Sequence, residues 1–109
     1  MTPKRYEIYF ADLNPTLGSE LQKIRPVVII SQDAMNRFLE TVVVCPLTTR
    51  LHPRWRSRLQ IQSTEKPSEI AVDQIRTISK KRLRNCIARL SDAEAAELRR
   101  IINEMYGEP

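Results

Sequence analysis

Glycine is scarce in this sequence, with two residues in 109, and proline contributes seven. Neither a low-complexity nor a collagen-like chain fits those counts. There is one histidine and there are two cysteines. No Cys/His cluster has the spacing of a zinc site, so neither a metal nor another cofactor is expected. Long apolar runs are also missing: the longest aliphatic stretches, residues 27–30 and 42–44, are far too short to cross a bilayer. The opening MTPKRYEIYF lacks the apolar stretch and small-residue cleavage site of a signal peptide. A cytoplasmic protein with no membrane partner is the expectation. In a reducing compartment Cys45 and Cys86, both within apolar strand-like segments, read as buried free thiols rather than a disulfide.

What remains fits one folded domain spanning residues 1–109, because a second core would not fit in this length. Hydrophobic residues make up 41% and charged residues 28%, ordinary values for a globular chain. The formal net charge is +5 and the sequence pI about 9.6. Such an excess favours polyanionic partners, namely RNA, DNA or an acidic protein segment. Basic domains without any nucleic-acid role also exist.

Hydrophobic periodicity predicts short strands followed by one long helix. Residues 5–13 place Tyr6, Ile8 and Phe10 on one face with Glu7 and Tyr9 on the other, a strand with one face in the core. Residues 14–23 are a long polar connection, and long loops in compact domains are often functional. Pro26 opens a second strand over residues 27–31, and residues 33–38 form a single helical turn. Residues 41–45 make a third strand that ends at Pro46, and residues 47–57 are read as a loop. Residues 58–62 form a half-exposed fourth strand. Residues 69–78 form a strand with a bend or bulge, residues 80–83 one helical turn, and residues 85–90 a last strand. Ser91 and Glu94 fit a capping box ahead of an apolar stripe of Leu98, Ile101, Ile102 and Met105, with Gly107 as the stop. The predicted architecture is mostly β with a C-terminal helix, a strongly bent sheet or partly open barrel.

Three stretches hold groups suited to chemistry. Arg25 stands where the polar loop meets a buried strand; its planar cation suits phosphate, though a structural ion pair with Glu20 or Asp73 would use it equally well. Thr48, Thr49 and Arg50 follow Pro46 and offer two hydroxyls and a guanidinium, or simply a turn. Arg50, His52, Arg54, Trp55, Arg56 and Arg58 read either as a stacking platform beside a phosphate track or as a solvated face with Trp55 in the core.

Several motifs in series resemble the MazF/PemK toxins. They are Tyr9 through Pro15 (YFADLNP), Gly18-Ser19-Glu20, Arg25 through Ile29 (RPVVI), Pro46 through Thr49 (PLTT), Asp73 through Ile78 (DQIRTI) and Lys81-Arg82-Leu83. The likeness covers nearly the whole chain. It implies a small SH3-like barrel, shared by MazF and CcdB, working as a homodimer. It also implies a metal-independent, sequence-specific endoribonuclease for single-stranded RNA such as mRNA, held in check by an acidic, MazE-like antitoxin. Functional Arg and Thr residues of the family fall on Arg25 and Thr48. RNA contacts are implied for Ser19, Glu20, Thr49, Arg50, Gln74 and Arg76.

Such an enzyme would use the RNA 2′-OH as nucleophile and leave 2′,3′-cyclic phosphate and 5′-OH ends, with Glu20 favoured over His52 or water as proton acceptor. Two rival readings are a CcdB-like gyrase-binding toxin and a non-catalytic module that binds nucleic acid. The sequence departs from the family at Tyr6, where glycine is frequent, and at Gln22 and Lys23, where one or two glycines are.

Overall fold

A computed structural model describes residues 2–13 and 24–108. Along the chain run β1 (Glu7–Asp12), β2 (Ile24–Ile29), α1 (Asp33–Phe38), β3 (Thr41–Thr48), β4 (Arg58–Ile61) and β5 (Ser68–Ala71). A 3-10 turn (Val72–Gln74), β6 (Arg76–Ser79), a second 3-10 turn (Lys80–Arg82), β7 (Leu83–Arg89) and α2 (Asp92–Tyr106) complete it. The strands form a seven-stranded sheet in the order β4-β5-β3-β2-β1-β7, with β6 also on β3. Every pairing is antiparallel. The sheet does not close on itself, which makes it the mostly β, partly open barrel with a C-terminal helix that the periodicity predicts.

Strand β3 explains how one sheet bends so far. Its first half, from Thr41 to Val44, pairs with β6, and its end, Leu47 and Thr48, pairs with β5. Strands β5 and β6 thus run along one edge of β3 and are separated by the turn at Val72–Gln74, the expected break between residues 69 and 78. Pro46 does not end the strand. It sits opposite Val27 of β2 and falls in the gap between the two partners on the other edge, where no ladder bond is lost. Pro26 likewise lies inside β2 rather than at its start, opposite Phe10.

Bending creates two apolar layers. Ile8, Val28, Leu47, Ile61, Ile70 and Val72 pack with Leu98 and Ile101 of α2 in one layer. Tyr9, Ala11, Val27, Ile29, Val42, Val44 and Ile78 fill the other. Alternate residues of β1 therefore enter opposite layers, and the expectation of a single buried face is corrected: Tyr9 is 1% exposed, whereas Phe10 is only half-buried. Alternation alone puts Tyr9 with Glu7 on the outer face; its hydroxyl here donates to Glu7 Oε1 at 3.1 Å.

Tyr6 has φ of 73°, the left-handed region that disfavours a Cβ. A glycine would sit there without strain, on the order of 1–3 kcal/mol for a side-chain-bearing residue. Tyr6 gains contacts in exchange. Its ring packs on the first apolar layer, the guanidinium carbons of Arg5 and Arg99 lie 5.3 and 5.7 Å from its centroid, and Arg99 Nη1 donates to its hydroxyl at 3.1 Å.

The α2 capping box forms as predicted: Glu94 N donates to Ser91 Oγ at 3.1 Å and Ser91 N to Glu94 Oε1 at 3.0 Å. Glu94 also accepts from Gln62 N at 2.8 Å and from the Ser63 hydroxyl, tying the helix start to the end of β4. Gly107 caps the helix in an extended conformation that leaves no room for a side chain, since a Cβ there would lie 2.5 Å from the Asn103 carbonyl oxygen.

The two thiols differ, contrary to the expectation that both are buried. Cys45 is buried and its thiol is pushed up to about 12, by burial first and by Asp73 second. Cys86 is exposed because most of β7 is uncovered. One thiol per folded chain, Cys86, is expected to react with a small alkylating reagent at pH 8, and Cys45 only after denaturation. Mass spectrometry of the native protein checks this; rapid labelling of both sites would contradict the burial of Cys45.

Candidate active site

Arg25 and Thr48 are 23 positions apart in sequence, yet the sheet register makes them neighbours. Val27 pairs with Pro46, and the same antiparallel register carried two residues further sets Arg25 opposite Thr48 on one side of the sheet. Both side chains line a cleft of about 290 Å³ together with Thr49, Arg50 and Ser68. Two depressions adjoin it. One, of about 170 Å³, adds His52, Arg58 and Gln74 to Arg25 and Thr48; another, of about 380 Å³, adds Arg76 and Leu13 to Arg25 and Gln74. Arg25 is common to all three, so they form one groove running from Ser68 to Arg76.

The groove is electrostatically unbalanced. The side chains of Arg25, Arg50 and Arg76 make no hydrogen bond or ion pair with any described residue. Asp73, a partner considered for Arg25, is instead held by Arg58. Thr48 is pre-oriented: its Oγ1 accepts from the Arg50 backbone N–H at 3.0 Å, which leaves the hydroxyl proton free to point into the cleft.

One wall of the groove is a buried ionic cluster. The Glu69 side chain is fully enclosed and accepts from His52 N at 2.5 Å, Arg58 Nη1 at 2.5 Å and Gln60 Nε2 at 2.8 Å, and the His52 ring Nδ1 lies 3.1 Å from its Oε2. Arg58 turns its Nε to Asp73 Oδ1 at 2.8 Å, and its side chain is only 6% exposed. Burial alone would raise the Glu69 pKa. The donors from His52, Gln60 and Arg58 outweigh it and hold the carboxyl at about 2. Arg58 also holds Asp73 below the usual carboxylate range. Trp55 covers the cluster: its ring stacks on His52 at 3.9 Å between centroids, 22° from parallel, and the Arg58 guanidinium carbon lies 4.7 Å from its ring. Trp55 is 50% exposed, so it is not a core residue.

The lowered Glu69 pKa has a consequence for acid stability. A depressed carboxylate stabilises the fold above its unfolded pKa, near 4.5, and that contribution disappears as pH falls towards 2. Unfolding free energy is therefore expected to drop by a few kcal/mol across that window, and Glu69→Gln should flatten the profile. Denaturant titrations at stepped pH check this, and identical slopes in both proteins would contradict it.

The groove thus gathers Arg25, Thr48, Thr49, Arg50, Gln74 and Arg76, all singled out from the sequence. Ser19 and Glu20 lie outside the described residues. Glu69 was legible only as a strand residue, and Arg58 only as one of several exposed cations. The one available signal was an acidic side chain inside an apolar strand, Glu69-Ile70-Ala71-Val72, near an Arg/His-rich stretch. Among the described residues no group of three or more His, Cys, Asp or Glu side chains is placed to hold a metal ion. No helix among them is long and apolar enough to cross a membrane.

Residues 4–106 match the family model described as the PemK-like, MazF-like toxin of type II toxin-antitoxin system. The chain belongs to this family. Endoribonuclease MazF of Staphylococcus saprophyticus is 37% identical over 109 residues, covering 95% of this chain and 91% of that one. Endoribonuclease EndoA of Bacillus subtilis is 39% identical over 97 residues, covering 84% of each. The fold of this MazF-like toxin is also that of a solved endoribonuclease in complex with its cognate antitoxin from a mycobacterial species. The TM-score there is 0.82 at 23% identity, with 98% and 97% of the two chains covered.

Proposed function

We propose that this MazF-like toxin is an endoribonuclease that cuts single-stranded RNA by attack of the substrate's own 2′-OH, with no metal or other cofactor, and that Arg25 and Thr48 are its catalytic pair. One observation carries the reading: a guanidinium with no partner among the described residues and a pre-oriented hydroxyl face the same cleft from adjacent strands. In-line attack places extra negative charge on the non-bridging oxygens of the phosphorane. The Arg25 fork donates to those oxygens and stays charged throughout, and the Thr48 O–H adds a third donor. Thr49, Arg50, Gln74 and Arg76 bind flanking nucleotides along the groove, and Ser19 and Glu20 contribute RNA contacts from the segment between β1 and β2. DNA lacks the nucleophile and is not cut.

The toxin acts in the cytoplasm as a homodimer. A cognate antitoxin with an acidic segment inhibits it by occupying the same basic groove. Support comes from the relatives named as endoribonucleases and from the neighbour solved with its cognate antitoxin. A gyrase-binding toxin would have no use for the paired Arg25 and Thr48.

The test is incubation of purified protein with end-labelled RNA in EDTA. Discrete fragments bearing 2′,3′-cyclic phosphate and 5′-OH ends are expected. Retention of intact RNA would instead identify a binding module, and cleavage abolished by EDTA would overturn the metal-free mechanism.

A further inference from the structure

The groove contains one imidazole, that of His52, and it is the sole histidine of the chain. We propose that His52 takes the proton from the attacking 2′-OH, and that Glu69 is the positioning residue that fixes the ring for this task. This deepens the endoribonuclease reading and rests on it. It replaces Glu20, favoured from the sequence, with a group whose surroundings are on view.

The geometry carries the assignment in three steps. First, His52 lines a cavity of about 170 Å³ together with Arg25 and Thr48, so the imidazole borders the same space as the proposed catalytic pair. Second, the ring is immobilised on several sides. Its backbone N–H and its Nδ1 both meet the Glu69 carboxylate, at 2.5 and 3.1 Å, and Trp55 stacks on its face.

Third, those contacts choose the tautomer. A bare Nδ1 would set a lone pair against an ionised carboxylate oxygen, which is repulsive, so Nδ1 carries the proton and donates to Oε2. Arg58 Nη1, which donates one of its two hydrogens to the same Oε2 at 2.5 Å, lies 3.3 Å from Nδ1, farther than the carboxylate oxygen at 3.1 Å. With Nδ1–H bound to Glu69, the lone pair is on Nε2, the nitrogen on the opposite side of the ring. Among the described residues, the charged groups that face this ring and its cavity are Glu69 from β5, Arg58 from β4, Arg25 from β2, Asp73 through Arg58, and Arg50 from the loop after β3. Burial does not silence Glu69, whose donors keep it ionised at all but very acid pH.

The chemistry balances without any further reagent. As the O2′–P bond forms and the P–O5′ bond breaks, the 2′-OH proton moves to Nε2 and Glu69 stabilises the resulting imidazolium. The leaving 5′-oxygen takes a proton from water, and the imidazolium returns its proton to the hydroxide so formed.

The test begins on the wild-type protein, where 15N spectra of the only imidazole report its tautomer directly. In its neutral form the ring is expected to carry its proton on Nδ1; a neutral ring protonated at Nε2 overturns the proposal. His52→Ala, once shown folded by circular dichroism, should cut RNA about a hundredfold or more slowly, with KM little changed. An RNA with sulfur in place of the scissile 5′-oxygen has a leaving group that needs no proton. The variant should remain as impaired on it, and full recovery would make His52 the donor and overturn the assignment. Glu69→Gln should lower kcat more than it raises KM and mix the two tautomers; an unchanged tautomer and kcat would remove its positioning role. Wild-type rates in His52→Ala beside an inactive Arg25→Ala would sink this proposal alone, whereas a wild-type protein that cuts no RNA would sink the reading beneath it.

Discussion

Arg25→Ala is expected to fold and melt like the wild type and to lose at least a hundredfold in the rate of RNA cleavage. The first half follows from exposure: the side chain is exposed and bonded to no described residue, and its strand is anchored by Val27, Val28 and Ile29 further along. The second half follows from the number of donors removed. Losing one preorganised donor to a charged transition state costs roughly 2.7–4 kcal/mol, on the order of a hundred- to thousandfold. Arg25 supplies a fork of donors and a fixed charge. Arg25→Lys should recover little, because an ammonium is a point charge without the planar fork. Single-turnover cleavage beside a thermal melt checks both halves, and a variant that melts normally and cuts at the wild-type rate would place the site elsewhere.

Arg58→Ala is expected to destabilise the fold by about 3–5 kcal/mol, the usual consequence of removing one partner from a buried ion pair. The side chain is 6% exposed and Glu69 is fully buried, so deletion leaves a carboxylate in an enclosed site without its guanidinium partner. The other donors to Glu69, from Gln60 and His52, keep the effect nearer the lower end. Asp73 is exposed and simply regains water. The double variant Arg58→Ala/Glu69→Ala should be more stable than the sum of the single losses, because no buried charge is then stranded. Denaturant midpoints measure all three proteins. A loss below about 0.5 kcal/mol in Arg58→Ala would place the cluster in the range of exposed ion pairs.

How much of this was legible beforehand depended on the range of the interaction involved. Local signals were read well. The capping box at Ser91, the α2 stripe of Leu98 and Ile101, the turn at 33–38 and the break between residues 69 and 78 all depend on neighbours a few positions apart. What failed was anything decided across strands. Tyr9 was put on a solvent face because a central strand of a strongly bent sheet is covered on both sides, which period-two alternation does not reveal. Pro26 and Pro46 were taken as strand boundaries, yet each lies where the ladder tolerates a missing donor. Cys86 seemed buried from its apolar neighbours, but β7 lies at the end of the strand order. The departure at Tyr6 was visible only as an unusual residue type; its positive φ gives the reason why glycine suits that position.

The site was half legible for the same reason. Arg25, Thr48, Thr49, Arg50, Gln74 and Arg76 could be singled out by residue type and by family resemblance, and the groove brings them together. Their convergence comes from the β2–β3 register, which no spacing along the chain encodes. The Glu69 cluster was missed because burial of a charge depends on donors from two separate segments: Arg58 and Gln60 of β4, and the loop at His52.

The account stands on the ribose hydroxyl as nucleophile, and one substrate tests it most directly. Once cleavage ends on a long RNA locate the cut nucleotide, an oligonucleotide of that sequence can be made with a single 2′-deoxy substitution there. The toxin is predicted to bind this oligonucleotide as tightly as the all-ribose strand and to leave it intact. Cleavage of it at the all-ribose rate would contradict the mechanism, because no internal nucleophile remains to attack.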